Sequence, residues 1–297
     1  MTEDMSARYP AFRPAQSPLA LRSPSTFLDR EILWGLGEGQ FRLVYQPKFN
    51  ARAGIVDGAE ALIRWHHPDD GMMLPDRFIP HCEATGTITE VTLWTIDQAI
   101  ADQRRFREDG QDIRLFVNLA AQLLTEESTV QGICERANQA DVNLGVEVTE
   151  RSVISNPSIA FANIRRLREV GLHISIDDYG SGLSSLTYLK QMDADELKID
   201  KSFIVSLGTS HRDPLIVRST IDLAHALGMT VTAEGVETPA AHALLTVMGC
   251  DMMQGYLVGR PMRPEAFVDY MRQFDPKTIT TPNDMRVLFD HKFWARA

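Results

Sequence analysis

The fold is decided by the stretch LGVEVTERSVISNPSIAFANIRRLREVGLHISIDD, residues Leu144–Asp178. Two short apolar runs rich in β-branched residues, Leu144–Thr149 and Leu172–Asp177, flank a segment with helical spacing, Ser158–Val170. Gly171 stands between that segment and the second run, where a left-handed helix cap is easiest for glycine. The pattern predicts a strand, a helix and a second strand that together form one parallel βαβ unit.

The same alternation of short apolar runs and amphipathic segments continues on both sides of this unit. Eight runs are strand candidates: Phe41–Gln46, Val56–Trp65, Ile113–Leu119, Leu144–Thr149, Leu172–Asp177, Glu196–Ile199, Met229–Ala233 and Met252–Gly255. The predicted helices between them are Ile88–Arg107, Ser158–Val170, Asp213–Leu227, which Gly228 follows, and Pro239–Met248. This strand count favours an α/β fold of the closed (β/α)8 TIM-barrel type over a doubly wound open sheet.

The chain is predicted to contain one globular domain, residues 26–275, between two tails. Residues 1–25 contain four prolines and no sustained apolar period, which indicates a flexible N-terminal tail. Residues 276–297 form a C-terminal extension with a VLFDHKFW stretch that could pack on the domain or on a partner. No secretory signal is recognised, and no apolar run approaches the roughly 18–20 residues that span a bilayer.

Charge and cysteine content limit the classes of function. The 297 residues include 40 acidic and 30 basic side chains, a formal net charge of −10. Broad electrostatic binding to DNA, RNA or an anionic membrane is therefore not expected. The three cysteines lie far apart without a C-x-x-C pair, which argues against a disulfide framework and a thiolate zinc site. We expect a protein of the reducing cytoplasm.

Polar residues lie in or just after most of the predicted strands. They are Glu60, Asn118, Glu147, Asp177, Asp178, Lys198, Asp200, Glu234, Glu237 and Gln254. The carboxyl ends of parallel barrel strands meet at one face, so these acids would repel one another unless cations or protons compensate. Oxygen ligands alone suit Mg²⁺ or Mn²⁺ better than zinc. Two such ions often serve phosphoester hydrolysis, and Lys198 is well placed to hold or deprotonate the attacking water.

Each of these residues also has a simpler interpretation. A lone acid after a strand commonly caps the next helix or lies in its first turn. Asp177 and Asp178, which precede Tyr-Gly-Ser-Gly, can form a turn with caps, and Asn118 can bond to backbone alone. The pattern by itself therefore leaves open both a divalent-metal barrel enzyme and a set of structural caps. The second interpretation is weaker because six strand ends would have to coincide.

An ordered set of motifs between about Asp29 and Phe274 resembles the EAL domain family, the bacterial cyclic di-GMP phosphodiesterases. The signature Glu60-Ala61-Leu62 lies inside GAEALIRW. The other motifs are YQP (Tyr45–Pro47), VNLA (Val117–Ala120), EVTE (Glu147–Glu150), DDYGSG (Asp177–Gly182), LKID (Leu197–Asp200), AEGVET (Ala233–Thr238) and QGYLVGRP (Gln254–Pro261). The resemblance implies a TIM-barrel-like fold in which one strand is antiparallel to the others. The departures at Ala120, Val148 and Tyr179 affect no metal ligand.

The resemblance also implies roles for individual residues. One Mg²⁺ or Mn²⁺ would be held by Glu60, Asn118, Glu147 and Asp177, and a second by Asp177, Asp178 and Glu234. Lys198 would contact the nucleophilic water between the ions, and Glu234 is the candidate base. Arg64 would clamp a phosphate group, which suits a guanidinium. Gln46, Leu62, Glu237 and Gln254 would line the nucleotide pocket, Asp200 would serve the substrate site and orient Lys198 or its waters, and Glu150 would brace the loop Asp178–Ser185.

The implied activity of this stand-alone domain is hydrolysis of cyclic di-GMP to linear 5′-pGpG by a two-metal-activated water. That reaction would lower the concentration of a second messenger in bacterial signalling, and a homodimer is the family expectation. Two alternatives stay open. One is a receptor that binds cyclic di-GMP but hydrolyses it slowly, and the other is a barrel enzyme that uses Mg²⁺ to stabilise an enolate.

Overall fold

The computed structural model describes residues 29–141, 143–149, 156–180 and 186–279. Within these ranges the strands are β1, Phe41–Asn50; β2, Ile55–His67; β3, Gly71–Met73; β4, Arg114–Leu119; β5, Leu144–Thr149; β6, His173–Tyr179; β7, Glu196–Ile199; β8, Thr230–Ala233; and β9, Met252–Gln254. All eight predicted strands are present, with ends that shift by a few residues. β3 was not predicted, because three residues are too few for an alternating pattern to be recognised.

The strands close into an eight-stranded barrel. The order is β1-β9-β8-β7-β6-β5-β4-β2, β2 pairs back to β1, and β3 pairs with β2 as an additional strand. β1 runs antiparallel to both of its barrel neighbours, β2 and β9. The remaining barrel pairs are parallel. The prediction of a closed barrel is confirmed, and so is the single antiparallel strand that the resemblance implied.

Helices connect the strands around the barrel. The α-helices are Asp29–Gly37, Ile79–Thr85, Ile88–Glu108, Glu127–Gln139, Pro157–Glu169, Leu186–Gln191, Lys201–Val205, Asp213–Ala226, Pro239–Met248 and Pro264–Gln273, and short 3-10 turns cover Pro75–Arg77, Ala121–Thr125 and Pro276–Thr278. The four predicted helices are among them. Gly171 and Gly228 follow two of these helices with φ angles of 87° and 80°, which is the left-handed conformation expected there.

Alternation along the strands separates an apolar outer layer from a polar barrel interior. In β5, Val146 and Val148 belong to the hydrophobic core, and Glu147 between them points to the opposite face. In β1, Tyr45 packs outward, and its hydroxyl donates to Asp102 of the helix Ile88–Glu108 at 2.7 Å. The inward positions therefore carry the charged and amide side chains that form the candidate site.

The predicted tails lie largely outside the described residues, so the domain boundaries at residues 26 and 275 stay predictions. The first described element is the helix Asp29–Gly37, and the last is the turn Pro276–Thr278. Ile279, directly after that turn, is buried against the core. No helix in the described part of the chain is both long and apolar enough to cross a membrane.

Candidate metal centre and active site

Strand register brings the predicted acids together inside the barrel. Asn118 in β4 pairs in register with Glu147 in β5. Asp177 in β6 pairs with Thr149, two residues beyond Glu147. Because side chains two residues apart share a face, Glu147 and Asp177 both point into the barrel near the carboxyl ends of the strands. The predicted convergence of strand ends therefore holds for these residues.

Lys198 of β7 lies at the centre of this cluster. Its Nζ atom is 2.5 Å from Glu147 Oε2, 2.7 Å from Glu234 Oε1 and 3.1 Å from Asp177 Oδ1. Burial alone would lower the pKa of Lys198, but the surrounding carboxylates outweigh burial and raise that pKa well above its ordinary value. Lys198 is therefore held as an ammonium ion, which favours holding a water by hydrogen bonds over deprotonating it.

Glu60 of β2 is kept ionised by its amide neighbours. Asn118 Nδ2 and Gln254 Nε2 each donate to one of its carboxylate oxygens at 2.7 Å. Burial raises the pKa of Glu60. Lys198 and these two hydrogen bonds lower that pKa by more than burial raises it, so the net shift is downward. The β2 acid of the EAL motif is thus a buried carboxylate at any pH near neutrality.

Two neighbouring carboxyl groups behave in the opposite way. Burial raises the pKa of Glu147 to about 8, with Lys198 opposing the shift and Glu60 adding to it. Burial likewise raises the pKa of Glu234 to about 7, although the ammonium of Lys198 acts to lower it. Lys198 alone does not neutralise the cluster, so the cluster retains protons where no further cation compensates its charge.

Asp177 and Asp178 both reach the cluster because β6 is irregular at its end. Side chains of successive strand residues ordinarily point to opposite faces. Here the pairing of β6 with β7 shifts between Ile176 and Tyr179, and Asp178 has a φ angle of 58°. Carboxylate oxygens of Asp177, Asp178 and Glu234 consequently lie within 4.8 Å of one another, close enough to bind one ion.

The donor set fits hard divalent cations. Asp177, Asp178 and Glu234 form one oxygen cluster, and the adjacent Glu60 and Glu147 supply further carboxylates. A cation, the ammonium of Lys198, already lies among these oxygens, which shows that the site is built around positive charge. Oxygen donors of this kind are typical ligands of divalent cations such as Mg²⁺.

The predicted nucleotide-pocket residues on β1, β2 and β9 adjoin the cluster. Gln254 Nε2 lies 3.3 Å from Gln46 Oε1, and Gln46 Nε2 donates to the carbonyl of Gly259 at 3.3 Å. Gln254 Oε1 is buried and has no hydrogen-bond partner among the described residues. Leu62 and Arg64 are half-buried on β2, and burial lowers the pKa of the Arg64 guanidinium.

Of the other predicted residues, Asp200 and Glu237 follow β7 and β8, and Glu150 lies outside the described ranges. Asp200 caps the helix Lys201–Val205, where its carboxylate accepts a hydrogen bond from the Ser202 backbone N–H at 2.9 Å. Glu237 is exposed in the segment after β8. Glu150 and most of the loop Asp178–Ser185 lie outside the described residues, so the role of Glu150 stays a prediction.

Lys48 and Glu196 are buried in the barrel interior and were not predicted. Lys48 Nζ lies 2.5 Å from Glu196 Oε1 and 3.5 Å from Glu147 Oε1. The signal for Glu196 was present, because Glu196 and Lys198 are two residues apart in one strand and must share a face. Lys48 follows Gln46 with the same spacing, but a lysine on an apolar strand is ordinarily read as an exposed residue.

We expect the metal-free protein to lose stability as pH rises from 4.5 towards 8. Glu147 and Glu234 have a raised pKa in the folded state, so between 4.5 and their folded values the folded protein binds more protons than the unfolded chain. The free energy of unfolding must fall with pH across that window. The lowered pKa values of Glu60 and Glu196 act only below 4.5. Saturating Mg²⁺ should raise the melting temperature more at pH 8 than at pH 6.

Thermal melts in EDTA and in Mg²⁺ between pH 5 and 9 measure this effect. Glu234→Gln removes one of the two groups, so its melting temperature in EDTA should fall less between pH 5 and 7 than that of the wild type. Equal slopes in the two proteins would contradict the assignment.

Comparison with known proteins identifies the family. The EAL domain model matches residues 29–261. The chain is 38% identical over 251 residues to the cyclic di-GMP phosphodiesterase NbdA of Pseudomonas aeruginosa, an alignment that covers 83% of this chain and 32% of NbdA. It is 39% identical over 242 residues to the bifunctional diguanylate cyclase/cyclic di-GMP phosphodiesterase MucR of the same organism, covering 80% of this chain and 35% of MucR.

The chain spans about a third of the length of these two curated relatives. A solved structure described as the PaMucR phosphodiesterase in complex with c-di-GMP matches the fold with a TM-score of 0.75 at 37% identity. That match covers 80% of this chain and 98% of the solved chain. The barrel with one reversed strand, the motifs in order and these matches agree, and the chain belongs to the EAL domain family.

Proposed function

We propose that this chain hydrolyses cyclic di-GMP to linear 5′-pGpG in a reaction that depends on divalent cations. The observation that carries the proposal is the ammonium of Lys198, enclosed by the carboxylates of Glu147, Asp177 and Glu234. The names of the relatives support the substrate: NbdA is a cyclic di-GMP phosphodiesterase, and the PaMucR phosphodiesterase was solved with c-di-GMP bound.

Two Mg²⁺ or Mn²⁺ ions complete the proposed centre. Glu60, Asn118, Glu147 and Asp177 would hold one ion, and Asp177, Asp178 and Glu234 would hold the other. When bound, such ions would lower the pKa of a coordinated water and stabilise negative charge on the attacked phosphate. Burial raises the pKa values of Glu147 and Glu234 in spite of the nearby ammonium, and a further cation would stabilise both carboxylates, which supports this assignment.

The chain's own residues then have distinct tasks in the hydrolysis. Lys198, held as an ammonium, donates hydrogen bonds to the attacking water and orients it. Glu234, whose Oε1 atom lies 2.7 Å from Lys198 Nζ, is the candidate base that accepts the proton of that water. The water oxygen bonds to phosphorus, the bond to the ribose 3′-oxygen breaks, and that oxygen takes up a proton from solvent to become a hydroxyl, so the linear product carries a 5′-phosphate.

Substrate binding falls to the residues above the cluster. Arg64 is half-buried, which strengthens its attraction for a phosphate group. Gln254 Oε1, buried without a partner among the described residues, can accept a hydrogen bond from a bound base. We assign Gln46, Leu62 and Glu237 to the same pocket, and Asp200 to orientation of water beside Lys198. Glu150 is proposed to brace the loop Asp178–Ser185.

We further infer a homodimer that acts in the cytoplasm, with the catalytic domain at residues 26–275. Val205, Leu215 and Ile216 support the dimer, because these large apolar side chains are exposed on two neighbouring helices. Light scattering should report a mass of about twice 33.3 kDa. A monomer at micromolar concentration would contradict the dimer without affecting the catalytic assignment.

Incubation of the purified full chain with cyclic di-GMP tests the function. We expect linear 5′-pGpG, identified by mass spectrometry, with Mg²⁺ or Mn²⁺ and no product with EDTA. Ca²⁺ should permit nucleotide binding without turnover. If cyclic di-GMP is bound but stays intact over hours in Mg²⁺, the result would contradict the enzyme hypothesis and favour the receptor alternative. Absence of binding in every metal would contradict both.

A further inference from the structure

A second buried ammonium lies on the reversed strand, beneath the cluster around Lys198. Lys48 of β1 is fully buried, and its Nζ atom lies 3.6 Å from the centre of the Phe116 ring. Its carboxylate neighbours are Glu196 Oε1 at 2.5 Å and Glu147 Oε1 at 3.5 Å. A buried lysine of this kind requires a specific arrangement of partners, because an unpaired buried charge is strongly unfavourable.

The position of Lys48 is fixed mainly from the side away from the site. Glu196 Oε1, its nearer partner, also accepts a hydrogen bond from the Ser175 hydroxyl at 3.0 Å. Glu196 Oε2 lies 3.7 Å from His173 Nε2, and the other nitrogen of that ring is 3.0 Å from Arg114. On this side of Lys48, none of the described partners Glu196, Ser175, His173 and Arg114 is a proposed metal ligand.

The carboxylate of Glu147 is divided between the two lysines. Lys198 contacts Oε2 at 2.5 Å, and Lys48 contacts Oε1 at 3.5 Å. Lys198 has two further carboxylate partners, Asp177 and Glu234, towards the carboxyl ends of the parallel strands. Glu196, which anchors Lys48, lies towards the opposite end of the barrel. A cation held by the upper cluster can therefore compete with Lys198 for Oε2, while Oε1 remains attached to Lys48.

We propose that Lys48 is a positioning residue of the metal centre, which holds Oε1 of Glu147 and so leaves Oε2 as the single oxygen that Glu147 presents to a cation. The inference rests on the proposed function, since it assigns Glu147 to a bound ion. In this proposal Lys48 acts through Glu147 and is assigned no contact with the substrate or the ion. Residues that orient a ligand in this way typically change metal affinity or activity about 10- to 100-fold when they are replaced.

Replacing Lys48 by methionine or by glutamine, two neutral side chains of similar length, distinguishes a role in positioning Glu147 from a role in packing alone. In a Glu196→Gln background, Lys48→Met removes the hydrogen bond to Glu147, and Lys48→Gln retains a donor. Both double variants lose one positive and one negative charge, so the net charge of the interior equals that of the wild type. The Glu196→Gln single variant keeps Lys48 and serves as the matched control.

The first readout is the dissociation constant of Mn²⁺, measured by electron paramagnetic resonance on the full chain without nucleotide. The amide oxygen of Glu196→Gln can still accept a hydrogen bond from Lys48, so we expect this control to stay within about threefold of the wild type. We expect the Met double variant to bind Mn²⁺ about 10- to 100-fold more weakly. The Gln double variant should recover most of that loss. The Met variant should also lower kcat with little change in KM for cyclic di-GMP.

The results distinguish this proposal from the proposed function. Equal Mn²⁺ affinity of the Met and Gln double variants, with both folded by circular dichroism, would overturn the role of Lys48 whatever the activity. If the variants show the expected order of Mn²⁺ affinity while the wild-type chain does not hydrolyse cyclic di-GMP, that result would support the positioning role of Lys48 and contradict the proposed function. If the Met double variant fails to fold, the Gln double variant must bind Mn²⁺ within about tenfold of Glu196→Gln, and a larger loss overturns the proposal.

Discussion

Lys198→Met is expected to abolish hydrolysis while Mn²⁺ binding is retained or becomes tighter. The ammonium lies within 3.1 Å of oxygens from Glu147, Asp177 and Glu234, the same carboxylates that are proposed to hold cations. Its removal takes away the donor to the attacking water, which should lower kcat by at least about a thousandfold. It also removes a positive charge that competes with metal ions for the carboxylates.

A fall in kcat without a loss of Mn²⁺ affinity distinguishes the loss of a catalytic group from misfolding, which would lower both quantities. Initial rates of 5′-pGpG formation give kcat, and electron paramagnetic resonance gives the dissociation constant of Mn²⁺. Lys277→Met, at an exposed lysine in the turn Pro276–Thr278, makes the same change of charge away from the cluster and should leave both quantities unchanged. A Lys198→Met protein that turns over within tenfold of the wild type would refute the role of Lys198.

Glu60→Ala is expected to abolish turnover together with tight metal binding. The carboxylate of Glu60 accepts hydrogen bonds from Asn118 and Gln254 and stays ionised in spite of its burial. It therefore offers a cation a permanent negative charge, which Glu147 and Glu234, with their raised pKa values, do not. We expect kcat to fall at least about a thousandfold and Mn²⁺ affinity to fall at least about tenfold.

The near-isosteric Glu60→Gln should fail in the same way, because its neutral amide keeps the volume but loses the charge. Asp57→Asn provides a matched control on the same strand, since Asp57 bonds to Asn50 at the far end of β2. Calorimetric titration with Mg²⁺ and the rate of pGpG formation should be close to wild type in that control. Retention of wild-type metal affinity in Glu60→Gln would contradict the assignment of Glu60 as a metal ligand.

The barrel was predictable because its strands are short, apolar and separated by amphipathic helices. β5, the helix Pro157–Glu169 and β6 form a strand–helix–strand unit, which is typical of a parallel sheet because parallel strands need a long crossover connection. The direction of β1 was not visible in the pattern, since an apolar strand reads alike in either direction. Only the family resemblance implied that one strand is reversed.

The candidate site was predictable at the level of residue types but not in its detailed geometry. Acids at strand ends indicated a charged face, yet the joint placement of Asp177 and Asp178 depends on a register shift and a positive φ angle. Asp200 shows the opposite case, because the simple interpretation as a helix cap describes its observed hydrogen bond. Lys48 was missed because its buried partner Glu196 lies far away in the sequence and becomes a neighbour only when the barrel closes.

The reversed direction of β1 also determines where the chain enters the barrel. Phe41 pairs with Trp65 at the end of β2, so the start of β1 lies at the catalytic mouth and its end lies at the floor. The helix Asp29–Gly37 directly precedes that start, and Gly35 packs against Phe41 and Trp65. The helix Asp29–Gly37 therefore adjoins the rim on which the proposed metal centre opens, so the described chain enters the barrel at its active-site end and not at its floor.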